Sequence, residues 1–176
     1  MPAAANTEPV AIDQLDSYLH TVHGVRAVKK IDVSLVPPSK GSKYPHPFDA
    51  PCRERVRQAL GDAGGLTDFG VGLLQLPPGA WSSQRQWHSA EDEFIWVLQG
   101  EVVLITDGGE EVLRPGDCAG FKAGVADGHH LQNRSATLAV VLEVGSRRPD
   151  EDICSYSDID MRWGPNGITR KDGTAY

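Results

Sequence analysis

No stretch of this 176-residue chain approaches the roughly 20 consecutive apolar residues that a membrane-spanning helix requires. Cysteine is scarce. Cys52, Cys118 and Cys154 are widely spaced with no C-x-x-C pair, which excludes a zinc knuckle and a disulfide framework. The opening MPAAANTEPV lacks the basic-then-apolar pattern of a secretory signal. Basic clusters are lacking too: the chain has 24 acidic and 17 basic residues, net −7. Arg53, Arg55 and Arg57, like Arg147 and Arg148, are diluted by nearby acids, so no face exists to displace counterions from a phosphate backbone. A Ser-His-Asp order, a phosphate-binding glycine loop and a dinucleotide fingerprint are also absent. These gaps exclude nucleic acid and membrane as partners and point to a reducing cytoplasm.

What the sequence does have is turn chemistry. Its 19 glycines and 12 prolines imply many short elements and argue against a helical bundle. With 40% hydrophobic residues at this length it makes one domain, able to bury roughly 70% of the surface its unfolded form exposes. The chain reads in three parts: an N-terminal extension over 1–67 that packs on a barrel, the barrel itself over 68–145, and a C-terminal tail over 146–176. In the extension, Ile12, Leu15, Leu19 and Val22 have helical spacing, and Val25 to Val36 reads extended. Asp49 ahead of Pro51 predicts a helix running through Leu60 and stopped by Gly61, with Arg53 and Arg57 on a solvated face.

From Asp68 onward short apolar or alternating runs are separated by turn signals, the pattern of a β-sandwich or barrel. The predicted strands are 69–76, 81–88, 93–98, 101–106, 111–113, 118–121, 128–133 and 137–144. Asp107-Gly108-Gly109 is a strong hairpin signal. The run Phe94 to Leu98 is apolar on both faces, so its outer face calls for a cover: a second sheet, the N-terminal segment or a second subunit.

Chemistry concentrates around three histidines of this region. Strand periodicity places Gln86 and His88 on one face, and a short turn brings Glu93 beside them on the neighbouring strand. His129 and His130 are adjacent, so only one can point inward; His129 would share a face with Leu131 and Asn133. His130 is expected on the outer face or in a loop, and Cys118 is expected as a small buried residue. Arg85 and Lys122 are the nearby cations that could meet an anionic substrate.

The spacing His88-x4-Glu93-x6-Gly100, followed by Gly109-x5-Pro115 and His129-x3-Asn133, resembles the two motifs of the cupin superfamily. Pro115-Gly116-Asp117 and Lys122-Ala123-Gly124 look like its single-domain variant, and the resemblance spans roughly 68–145. The wording PPGAWSSQRQWHSAEDEFIWVLQGE, with the ending KDGTAY, is similar to a bacterial subgroup in which a histidine would stand in place of Gln86. The resemblance implies an all-β, single jelly-roll barrel and a divalent metal held by His88, Glu93 and His129. Gln86 stands at the fourth-ligand position. It could ligate through its oxygen, bond a metal-bound water, or simply fill space. Two imidazoles and one carboxylate match the facial set of non-haem iron(II), which is favoured over zinc, nickel or manganese. Without a metal, the same residues would form a buried polar cluster costing several kcal/mol unless fully hydrogen-bonded.

The expected function is a metal-dependent enzyme of dioxygenase, isomerase or lyase type acting on a small metabolite, with Glu93 able to serve as a catalytic base. The alternative is a binding or sensing cupin without turnover, which the substituted Gln86 supports. Resemblance to small cupins also implies a homodimer.

Overall fold

The computed structural model describes residues 30–176. The helical spacing read at 12–22, and residues 25–29 of the segment read as extended, lie outside that range. Residues 32–176 form one unit in which every strand pairing is antiparallel.

The strands in chain order are β1 (Pro38–Lys40), β2 (Val56–Ala59), β3 (Phe69–Leu76), β4 (Gln86–His88), β5 (Glu93–Gln99), β6 (Val102–Thr106) and β7 (Gly109–Leu113). They continue with β8 (Cys118–Phe121), β9 (His130–Gln132), β10 (Ala139–Ser146), β11 (Cys154–Tyr156), β12 (Arg162–Gly164) and β13 (Gly167–Thr169). One six-stranded sheet runs β1-β2-β3-β10-β5-β8, a second runs β7-β6-β9, and a third runs β13-β12-β11-β4.

Alternation explains the core. Along β5, Ile95 and Val97 are buried while Phe94, Trp96 and Leu98 face outward, 38%, 46% and 48% exposed. Ile95 and Val97 meet Leu74, Leu76 and Val141 from the same sheet and Val102, Leu104 and Leu131 from the β7-β6-β9 sheet. The predicted strands 69–76 and 118–121 coincide with β3 and β8. Asp107 and Gly108 make a two-residue hairpin, since Thr106 and Gly109 are paired. Asn133 is fully buried and its amide nitrogen donates to the carbonyls of Leu76 and Thr137 (2.7 Å each), tying the start of β10 to the end of β3.

Three local expectations are corrected. Residues 51–60 are not one helix: a 3₁₀ turn at Ala50–Cys52 gives way to β2, and only Leu60–Ala63 (α1) is helical. Pairing with β3, from Val56↔Gln75 to Ala59↔Gly72, overrides the local helical spacing, and the Gln58 amide donates to the carbonyls of Val33 and Val36 (2.8 Å each). Those carbonyls lie at the start of, and just after, a 3₁₀ turn at Val33–Leu35, where an extended segment was expected. Cys118 is exposed, because it is paired with outward-facing Trp96.

Candidate metal centre

The geometry starts from β4. Gln86 and His88 point to the same side, and the backbone of Gln86 bridges His129 in both directions, Gln86 N to His129 O (3.0 Å) and His129 N to Gln86 O (2.8 Å). On the six-stranded sheet, Glu93 opens β5 opposite Phe121 and Gly145. Glu93 Oε2 then lies 2.9 Å from His129 Nε2 and 3.6 Å from His88 Nε2. Gln86 Nε2 is 3.3 Å from His88 Nε2, so all four residues singled out in the sequence come together.

Their surroundings fix their aim. Asp152, from the segment leading into β11, holds His88 Nδ1 at 2.6 Å, leaving Nε2 toward Glu93. Asp152 is itself pinned: its Oδ1 accepts from the backbone nitrogens of Ala90 (2.8 Å) and Glu91 (3.3 Å). Cys154 is opposite His88 in the β4–β11 register, and its thiol donates to Gln86 Oε1 (3.2 Å). Phe121 stacks on the His129 ring, centroids 3.6 Å apart and planes within 3°. His129 Nδ1 is buried and has no hydrogen-bond partner among the described residues, so none of them fixes the tautomer from that side.

The electrostatics favour a cation. Burial pushes the Glu93 carboxyl up, but the His129 hydrogen bond and the charges of His88, His129 and Arg57 outweigh it and hold the group below the usual carboxylate range. His88 shows the converse. Burial would lower its pKa, yet Cys154, Glu93 and Asp152 raise it to about 10, so a proton sits where a cation would replace it. Two imidazole nitrogens and an ionised carboxylate facing one point, one imidazole oriented by a carboxylate behind it, fit a divalent ion. His88, Glu91 and Asp152 form a second possible donor group within 4.8 Å, but Asp152 is already spent on His88 and two backbone nitrogens.

The site opens into a cavity of about 760 Å³ whose lining includes Tyr44, Arg57, Glu143 and Tyr156 besides the four central residues. Glycines make the room. Gly70, Gly72 and Gly145 line the cavity, and a Cβ at Gly72 would come within 3.2 Å of Glu143 Oε2.

Other residues weighed in the sequence fall elsewhere. His130 is buried, not outward: Nδ1 meets Ser83 O at 2.9 Å and Trp81 packs edge-on against its ring. Arg85 is paired with Asp107 and Asp158, and Lys122 with Asp92 at 2.8 Å, so neither is a free cation for a substrate. Arg57, expected on a solvated helix face, instead lines the cavity and pairs with Glu143. Sequence reasoning missed Asp152, Cys154 and Tyr156; Cys154, Ser155 and Tyr156 are all buried, so no alternation marks a strand there.

Comparison with known proteins agrees with this geometry. The Cupin_2 family (Cupin domain) matches residues 72–145. A sugar phosphate isomerase of the cupin superfamily from Silicibacter pomeroyi is 43% identical, with 84% of this chain and 96% of that chain covered at a TM-score of 0.79. A protein from Acidithiobacillus ferrooxidans, provisionally described as a sugar phosphate isomerase, is 31% identical over 70% of this chain and 78% of its own, TM-score 0.62. The polyketide cyclase RemF of Streptomyces resistomycificus shares the fold alone: 18% identity, 76% and 87% coverage, TM-score 0.59. No curated protein matches significantly. With the motif histidines and glutamate meeting at one point inside a jelly-roll of this topology, and with relatives of this similarity, the chain belongs to the cupin superfamily.

Proposed function

We propose that the chain is a divalent-metal-dependent isomerase acting on a small phosphorylated sugar. The observation that carries this reading is the convergence of His88 Nε2 and His129 Nε2 on Glu93 Oε2 at the edge of the cavity. The 43% identity to the Silicibacter pomeroyi sugar phosphate isomerase supports the reaction class over the dioxygenase and lyase alternatives. His88, Glu93 and His129 would hold the ion. Iron(II) is the favoured ion on the donor set, ahead of zinc, nickel and manganese. An ion held by these three residues would supply Lewis-acid polarisation of a substrate carbonyl.

The chain's own groups supply the rest. Glu93 Oε1 makes no hydrogen bond among the described residues, while Oε2 is engaged by His129. Oε1 is therefore the oxygen left to take a proton from the carbon beside the carbonyl and return it to the carbonyl carbon, while the hydroxyl proton on the first carbon passes to the former carbonyl oxygen. Gln86 stands at the fourth donor position, with its amide oxygen occupied by the Cys154 thiol. That contact favours a second reading, a cupin that binds its ligand without turnover.

Elemental analysis of protein purified without added metal, wild type beside Gln86→His, separates the readings. An imidazole at position 86 is expected to tighten metal binding by about tenfold or more, since it is the stronger donor for these ions. If neither protein carries close to one metal per chain, the enzyme reading is withdrawn. If both do and no sugar phosphate is interconverted, the binding reading takes its place.

The proposal extends to a homodimer in the cytoplasm. Among the described residues nothing covers Phe94, Trp96 and Leu98, and such an apolar stripe suits a second copy. All three cysteines are unpaired, which suits a reducing compartment, and among the described residues no helix is long and apolar enough to cross a membrane. Light scattering should give a mass near twice 19.0 kDa, and Trp96→Glu should shift it toward one chain. A wild-type mass of one chain at micromolar concentration would remove the dimer.

A further inference from the structure

The cavity also holds two guanidinium groups that are not among the candidate metal donors, although Arg57 is close enough to Glu93 to lower its carboxyl pKa. Arg55 and Arg57 are two residues apart at the start of β2 and both line the cavity. Arg57 is matched: Nη2 donates to Glu143 Oε1 (2.8 Å), and Nε lies 2.6 Å from Oε2. Gly72, opposite Glu143 in the register, leaves the space this pair occupies.

Arg55 has no such partner. Its Nε donates to Gly41 O (2.9 Å) and its Nη1 to Ser82 O, both neutral carbonyls. The guanidinium carbon sits 5.8 Å from the Tyr44 ring centre. Among the described residues Arg55 forms no salt bridge, and the carboxylate it feels most, Glu143, is already engaged by Arg57. Its Nη2 donates to no protein group among the described residues. Burial and the neighbouring Arg57 charge both pull the Arg55 pKa down. Among the described residues only Arg57 pairs with a carboxylate, which leaves the Arg55 charge to be met by an anion drawn alongside.

We propose that Arg55 and Arg57 form a phosphate-binding end of the cavity, with Arg55 supplying the charge that no protein carboxylate meets. A planar guanidinium fork suits a phosphate oxygen pair, and a dianion can engage both side chains at once. The inference rests on the proposed sugar phosphate reading. It lays the substrate with its phosphate at the start of β2 and its sugar toward Glu93.

The test is calorimetric titration of the full-length protein with inorganic phosphate, in the presence and absence of a chelator, followed by fructose 6-phosphate beside free fructose. Wild type should bind phosphate equally well with the chelator present, and should bind fructose 6-phosphate but not fructose. Arg55→Gln should weaken phosphate by at least about tenfold, as loss of one partner in a charge-assisted contact does. Glu143→Gln should tighten it several-fold by freeing Arg57. Should Arg55→Gln fail to fold, Glu143→Gln decides alone, because a merely structural role predicts no gain in phosphate affinity. Phosphate binding that is absent in wild type, that vanishes with chelator, or that ignores both substitutions overturns the proposal. Turnover separates the two readings. A protein that binds phosphate through Arg55 yet interconverts no sugar phosphate keeps this subsite and loses the isomerase. One that interconverts sugar phosphates with a KM indifferent to Arg55→Gln keeps the isomerase and loses the subsite.

Discussion

Glu93→Gln is expected to strip the protein of its metal and leave its fold intact. The amide has the shape of the carboxylate, and its oxygen can still accept from His129 Nε2, now at 2.9 Å. Only the negative charge goes, and with it the hard anionic donor between two neutral imidazoles. Removing a partner that merely orients a ligand costs about 10–100-fold in affinity, so removing the carboxylate itself should cost more than about 100-fold. Metal per chain after desalting should fall from near one to a trace. The metal-free variant should keep its fold but unfold earlier than metal-free wild type, because Glu93 helps hold His88 protonated and its loss leaves that buried charge one partner short. Full metal retention would relocate the ion, with His88, Glu91 and Asp152 the next group to examine by substitution.

The second large effect is on stability. Gly100, between β5 and β6, has φ +73°, and a Cβ there would lie 2.5 Å from Leu138 O and 2.8 Å from Ala139 Cα. Both are backbone atoms at the entry to β10, so no side chain can turn aside to make room. Gly100→Ala therefore combines left-handed strain with overpacking, together about 3 kcal/mol or more. Against a typical domain stability of about 5–15 kcal/mol, that is a large share. Gly79→Ala is the control: φ is +82°, but among the described residues nothing lies within 4 Å of its added Cβ. It should cost only the conformational strain, about 1–2 kcal/mol. Urea midpoints measure both, and equal losses would mean that the close approach at Leu138 contributes nothing.

Such contrasts show where sequence reading succeeds and stops. The barrel strands were legible because short apolar runs there are bounded by turn residues, but the inward face of β5 was not, since Phe94 to Leu98 is apolar on both sides. The donors Gln86, His88 and Glu93 were legible because a strand, a short turn and a strand bring them together within eight residues. β2 was not legible. Val-Arg-Gln-Ala carries no alternation, and its strand state comes from pairing with β3, a contact the local sequence does not encode. The same failure hid Arg57, placed on a solvated helix when its strand turns it toward Glu143, 86 residues away. His130 was misplaced for a different reason. Its neighbour His129 does face the centre, but its own side of the strand is covered by Trp81 and Ser83, so the opposite face is also an interior. Asp152 and Cys154 were hidden by length, since β11 has only three residues and gives periodicity too little to work on.

The reach of Asp152 has a bearing on ancestry and engineering. The recognisable cupin segment stops at residue 145, yet the carboxylate that steers His88 and the thiol that touches Gln86 both come after it. A transplant of 72–145 into another scaffold would carry His88, Glu93 and His129 without the side chain that aims the first of them. Drift in residues 152–156 is therefore constrained by chemistry on β4, and the two segments must be inherited, swapped or redesigned as a single cassette.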